Sequence, residues 1–100
     1  MVMPVSTMVK PNKVGAIDMR ILRFTASWCG PCKTLAKQLE SVETNIPIEV
    51  IDVDVHPDIA VEYGIRGVPT LVMLEDNIEI KRVSGTKPQE QLSEWVNNGN

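Results

Sequence analysis

From Met19 onward, short apolar runs of strand length alternate with stretches of helical period, and that alternation confines the chain to an α/β architecture. Met19–Thr25 (MRILRFT) reads as a buried strand interrupted by Arg20 and Arg23. Leu35, Ala36, Leu39 and Val42 then fall on one face of a helix that runs to about Thr44 and closes at Asn45 and Pro47. Residues 48–55 (IEVIDVDV) are rich in β-branched side chains and read as a second strand. Pro57 opens a short helix through Tyr63, which Gly64 ends in the left-handed conformation. Residues 70–74 form a third strand, Asp76-Asn77 a hairpin turn, and residues 78–83 pair back antiparallel. Thr86-x-x-Gln89 resembles a capping box with Pro88 in the first turn, and the last helix offers Leu92, Trp95 and Val96 to the core before stopping near Gly99.

The order from about residue 19 is therefore β-α-β-α-β-β-α, a mixed sheet of four to five strands flanked by helices on both faces. Strands joined by helical crossovers are expected to be parallel, with the terminal hairpin adding an antiparallel edge. Residues 1–18 are the least informative part: Pro4, Pro11, Asn12 and Gly15 interrupt every candidate element. Residues 5–9 read either as an edge strand or as a loosely held tail.

A chain of 100 residues with no repeat and no linker is expected to form a single domain, 1–100, with one hydrophobic core. Its net charge of −3 argues against a nucleic-acid partner, which needs a dense Lys/Arg face. The longest apolar stretch, residues 68–74, is far short of the roughly 20 residues that span a bilayer. The N-terminus carries neither a charged n-region nor a long apolar h-region, so a soluble monomer in the cytoplasm is expected, with no membrane partner.

Only two cysteines are present, Cys29 and Cys32. Half of a zinc site needs two more thiolate or imidazole ligands, and the chain offers only His56. A purely structural disulfide across so short a loop removes little unfolded-state entropy. A redox dithiol fits best, because the pair lies at a strand-to-helix junction, where unsatisfied N–H groups and the helix dipole stabilise an anion. Cys29, ahead of the helix and nearer solvent, is placed to attack a substrate disulfide. Cys32, one turn inside, is more buried and placed to resolve the mixed disulfide. Gly30 and Pro31 hold the sulfurs within bridging distance. No metal or organic cofactor is required, because the two sulfurs carry the electrons.

Trp28-Cys29-Gly30-Pro31-Cys32-Lys33 after a buried strand, followed by Tyr63-Gly64-Ile65-Arg66-Gly67-Val68-Pro69-Thr70, resembles the thioredoxin family from about Met19 to Val96; the first eighteen residues show no visible match. The resemblance implies a thioredoxin fold and a protein-disulfide reductase that serves in electron transport and cell redox homeostasis. It implies recharging by an NADPH-dependent thioredoxin reductase, and targets such as ribonucleotide reductase, methionine sulfoxide reductase or peroxiredoxins. It also implies that Cys29 is the nucleophile, Cys32 the resolving thiol, and Val68-Pro69 a cis peptide packed against the pair. The cis proline would present the Val68 backbone for strand-like pairing with a substrate. Trp28, Gly67 and Gly85 would complete an apolar rim.

The chain departs from the family in four places. Arg23 stands where the family usually carries a buried aspartate, Val50 where a lysine is common, Lys37 where a proline kinks the helix, and Asn77 at the hairpin glycine. A guanidinium stays charged and cannot relay a proton. Arg23 is expected either to lay its stem along the core edge with its head toward solvent or Asp52, or to face the sulfurs. The second placement would slow the Cys32 step or raise the potential. Alternatives to the reductase are accordingly an oxidant or isomerase of raised potential, and a non-redox binding subunit. His56 reads as a loop or capping residue, Asp52 and Asp54 as solvated groups on one face of a strand, Trp95 as core, and Trp28 as a partly exposed, substrate-facing ring.

Overall fold

The computed structural model describes residues 18–97. The elements are β1 (Met19–Thr25), α1 (Gly30–Glu40), β2 (Ile48–Asp52), α2 (Pro57–Glu62), β3 (Thr70–Glu75), β4 (Ile78–Ser84) and α3 (Gln89–Asn97). The four strands form one sheet in the order β2-β1-β3-β4, a mixed α/β arrangement. The edge-strand reading of residues 5–9 and the helix stop near Gly99 lie outside the described residues.

The two-residue period of β1 and β3 sorts the core into two layers. Ile21, Leu71 and Met73 face one side, where they pack with Leu35 and Leu39 of α1 and Leu92 and Val96 of α3. Leu22, Phe24, Val72 and Leu74 face the other side, against Ile59 and Tyr63 at α2. Phe24 is fully buried, its ring centroid 5.9 Å from that of Tyr63. Both central strands are apolar on both faces, which is why neither shows a clean polar alternation.

β1 and β2 are parallel, as a helical crossover requires, but β3 runs antiparallel to β1 and hence to β2. The expectation of a second parallel crossover is therefore corrected. At about 1.5 Å per residue, six-residue α2 advances the chain only about 9 Å and cannot return it to the far end of the sheet. Thr70 starts β3 opposite Phe24, at the end of the sheet where β1 and β2 stop.

Two elements end earlier than their pattern suggests. α1 stops at Glu40 with Ser41 as its C-cap, and the Thr44 hydroxyl accepts the Ile46 N–H at 3.1 Å, a local bond that competes with further helix. β2 stops at Asp52, whose Oδ1 accepts the N–H groups of Asp54 (2.8 Å) and Val55 (3.4 Å) and so closes a turn. Asp52 and Asp54 therefore do not share a strand face.

Other turn chemistry follows expectation. Asp76 and Asn77 have φ of 53° and 71°, a two-residue hairpin turn. At the end of α2 the Gly64 N–H bonds the Val61 carbonyl (3.0 Å) and the Ile65 N–H the Ala60 carbonyl (2.9 Å). With Gly64 at φ 63° this is a Schellman motif, and it aims the chain into the loop that carries Val68-Pro69. At α3, by contrast, the expected capping box does not form: the helix begins at Gln89, after Pro88, and the Gln89 amide donates to the Gln38 carbonyl of α1 at 3.0 Å, which ties the two helices together. Trp95 is half-buried at the rim of the core, with the Lys81 ammonium 4.7 Å from its ring centroid.

Candidate active site

β1 delivers the chain to the end of the sheet where parallel strands finish, the usual place for a site in such a fold. The Cys29 N–H bonds the Ala26 carbonyl at 3.2 Å, a tight turn that sets Trp28 outward and Cys29 at the head of α1. Cys29 is the N-cap of that helix, with φ −96° and ψ 109°, and its Sγ accepts the Cys32 N–H at 3.1 Å. Pro31 occupies the first turn, where a missing N–H costs nothing. Cys29 and Cys32 form a disulfide, with Cα atoms 5.3 Å apart.

The order of burial agrees with the expected roles, but the margin is narrow. Cys29 is 4% exposed and Cys32 1%, so in the disulfide state the attacking sulfur is itself covered. The pair packs with Ala26, and Val53 and Val68 close around it. Once the disulfide is reduced, the N–H that points at Cys29 Sγ and the positive end of α1 favour its thiolate.

On one side of the pair lies an apolar cleft of about 170 Å³, lined by Trp28, Val53, Ala60, Ile65, Arg66, Gly67 and Val68. Trp28 is 68% exposed, and its indole Nε1–H donates to Asp54 Oδ2 at 2.9 Å. The Val68-Pro69 peptide is cis. The Pro69 carbonyl accepts the Gly85 N–H at 2.9 Å, and the buried Thr70 hydroxyl donates to the Gly67 carbonyl at 2.7 Å. Gly85 thus braces the loop from behind and does not line the cleft. Its φ of 82° is a conformation few other residues adopt.

On the other side lies a second cleft of about 240 Å³, lined by Arg23, Thr25, Ala26, Ser27, Cys32, Lys33, Ala36 and Asp52. Arg23 is half-buried and, among the described residues, its guanidinium has no hydrogen-bond or ion-pair partner. The expected pairing of its head with Asp52 is not formed. Burial pushes the guanidinium below its usual pKa, though as arginine it remains a cation. Arg23 lies opposite Val50 in the β1–β2 register, so two of the departures from the family pattern occupy one spot.

The structure sets Trp28, Gly67 and Val68 on one cleft beside the Cys29–Cys32 pair, with Pro69 following Val68 across the cis peptide; Asp54 is a neighbour that sequence reading misses. The signal was present: in Asp52-x-Asp54 the first carboxylate closes a turn that carries the second to the indole. His56 takes the N-cap position of α2, but its side chain makes no cap bond. Among the described residues, no group of three or more His, Cys, Asp or Glu side chains is placed to hold a metal ion. No helix is long and apolar enough to cross a membrane there either.

A sequence profile of the thioredoxin family matches residues 9–98. The match begins well ahead of Met19, so the likeness extends into the segment where no resemblance was visible by eye. The chain is 37% identical to a thioredoxin of Chlamydia caviae over 86% of this chain and 87% of that one. It is 41% identical to that of Bacillus subtilis over 74% and 75%. Among solved structures, a thioredoxin variant from Halobacterium salinarum superposes with a TM-score of 0.74 at 36% identity, covering 79% of this chain and 72% of the other. The thioredoxin of Fasciola hepatica superposes with a TM-score of 0.72 at 28% identity, covering 82% and 81%. These relatives do not favour an oxidant, an isomerase or a non-redox binding subunit. With a disulfide-forming pair at the head of α1 and this likeness along most of its length, the chain belongs to the thioredoxin family and is a protein thiol-disulfide oxidoreductase.

Proposed function

We propose that the protein reduces disulfides of other proteins in the cytoplasm, as a monomeric single domain spanning residues 1–100 that needs neither metal nor organic cofactor. The observation that carries this reading is the Cys29 sulfur at the N-cap of α1, accepting the Cys32 N–H beside an exposed apolar cleft. In the reduced protein the Cys29 thiolate attacks one sulfur of the substrate disulfide, and the other sulfur leaves as a thiol. Cys32 then attacks Cys29 in the mixed disulfide. The Cys29–Cys32 bond forms, the bond to substrate breaks, and two electrons have passed to the substrate.

Trp28, Gly67, Val68 and Pro69 form the surface that accepts an extended substrate, with Gly85 as its brace. The Val68 backbone offers strand-like pairing, and the open, apolar character of the cleft suits a chain segment better than a small polar molecule. Gly30 and Pro31 set the spacing of the two sulfurs. The oxidised pair is recharged by an NADPH-dependent thioredoxin reductase, which places the protein in electron transport and redox homeostasis. Disulfide-forming enzymes such as ribonucleotide reductase, methionine sulfoxide reductase or peroxiredoxins are the targets this chemistry serves.

The test is reduction of a disulfide-bonded protein such as insulin, coupled to NADPH through thioredoxin reductase. Turnover that requires both cysteines supports the reading. Activity retained by the Cys29→Ser/Cys32→Ser double variant, or none in the wild type, overturns it.

A further inference from the structure

Cys32 must lose its thiol proton before it can attack, yet it is almost wholly covered and the relay acid usual in this family is replaced by Arg23. The proton needs another way out. The Arg23 cleft is the route the structure provides, because Cys32 forms part of its wall. Its volume of about 240 Å³ exceeds the roughly 10–15 Å³ that admits one water, and its Thr25 and Ser27 hydroxyls can each accept and donate a hydrogen bond.

Three charged groups face this space, one from each element around it: Arg23 from β1, Lys33 from α1 and Asp52 from β2. Charged arginine and lysine side chains offer donors and no acceptor. The other nearby carboxylate, Asp54, lies outside the cleft lining and holds the Trp28 indole. Asp52 is thus the one proton acceptor among the ionisable groups of the lining. Its Oδ1 is engaged by the Asp54 and Val55 N–H groups, which leaves Oδ2 without a hydrogen-bond partner among the described residues.

We propose that Asp52 accepts the Cys32 proton through water in this cleft, and that Arg23 stabilises the thiolate left behind. In the mixed disulfide, the Cys32 S–H bond breaks and its proton passes by way of water to the Asp52 carboxylate. The Cys32 thiolate attacks Cys29 Sγ, the Cys29–Cys32 bond forms, and the substrate sulfur leaves with the electron pair of the broken bond. It takes up a proton from solvent, and Asp52 releases its own to solvent once the disulfide is closed. Arg23 and Asp52 together do the work of one buried acid: the guanidinium lowers the cost of the anion and the carboxylate takes the proton. Burial of Arg23 strengthens its part, because a partly desolvated cation acts on its surroundings through less intervening water.

This inference rests on the dithiol mechanism above, and one experiment separates the two. The reduced protein is mixed with 5,5′-dithiobis(2-nitrobenzoate), which releases one coloured thiolate when Cys29 attacks and a second when Cys32 resolves. Both phases are followed from acid to alkaline pH in the wild type and in Asp52→Asn, whose amide oxygen still accepts the Asp54 and Val55 N–H groups and keeps the turn. The expected result is an unchanged first phase and a second phase slowed roughly 10- to 100-fold at neutral pH, rising with hydroxide concentration. Asp52→Glu restores the second phase, and Arg23→Gln moves its pH profile to higher pH. A second phase in Asp52→Asn with wild-type rate and pH profile overturns the proposal. Absence of the first phase in the wild type overturns the dithiol reading instead.

Discussion

The Cys29–Cys32 disulfide divides two clefts of unlike chemistry. The cleft on the Trp28 side is apolar, and its walls are fixed by hydrogen bonds to backbone carbonyls: the Schellman turn at Gly64, the Thr70 hydroxyl on the Gly67 carbonyl, and the Gly85 N–H on the Pro69 carbonyl. The cleft on the Arg23 side is lined by two cations, a carboxylate and two hydroxyls, and its guanidinium is unpaired among the described residues. The first resembles what the family motif implies. The second carries Arg23, one of the chain's departures from the family pattern. On the proposed reading the apolar wall meets an extended substrate, and the charged cleft acts at Cys32.

The largest effect should come from the boundary between them. Cys29→Ser should lower disulfide reduction by roughly a thousandfold or more, in a coupled turnover assay, because Cys32, the other thiol, is almost wholly covered. Phe24→Ala should come next. It empties the core layer under α2 and the apolar cleft, and denaturant unfolding should show a loss of about 3–5 kcal/mol. Gly64→Ala should cost about 1–2 kcal/mol by the same measurement, from backbone conformation alone, since a Cβ there meets nothing within 4 Å.

Asp54→Ala removes the acceptor of the Trp28 indole. It should raise KM for a protein substrate about fivefold and leave kcat near its wild-type value, the worth of one hydrogen bond of about 1 kcal/mol. An equal fall in kcat would mean that the Trp28 side also governs the Cys32 step, and would blur the division of labour. The smallest effect belongs to Glu79, remote from both clefts. The Arg82 hydrogen bond holds its carboxyl below the usual range, so the pair stabilises the fold above the ordinary glutamate pKa of about 4.3 and loses that contribution as pH falls through the lowered value. At this exposed site the effect should stay below about 1 kcal/mol, and Glu79→Gln should abolish this acid-side component of a thermal-melt pH series.

The two clefts also differ in how far the sequence reveals them. The Trp28 side was legible because its parts lie in two short motifs, and each residue does locally what its type favours: Pro31 in a first helical turn, Gly64 at positive φ, Pro69 after Val68. The Arg23 side draws on β1, α1 and β2, and its contents depend on which strand lies beside which. Residue 23 stands out in the sequence as a departure, but its lack of a partner among the described residues does not, because that depends on where Asp52, turned by its own Oδ1 bonds, comes to lie. That bond also ended β2 three residues before its β-branched pattern did. The direction of β3 was missed for a related reason: the length of α2, a distance in space, decided it, and hydrophobic period alone says nothing about where a short connection ends.

The central claim is that Cys29 and Cys32 form a reducing couple, and the equilibrium reduction potential of the pair in a dithiothreitol or glutathione redox buffer tests it most directly. The account predicts a value raised above the thioredoxin figure of about −270 mV by no more than a few tens of millivolts, the direction set by Arg23 beside the Cys32 thiolate. A value at or above that of protein disulfide isomerase, about −180 mV, would contradict it and mark the protein as an oxidant of thiols.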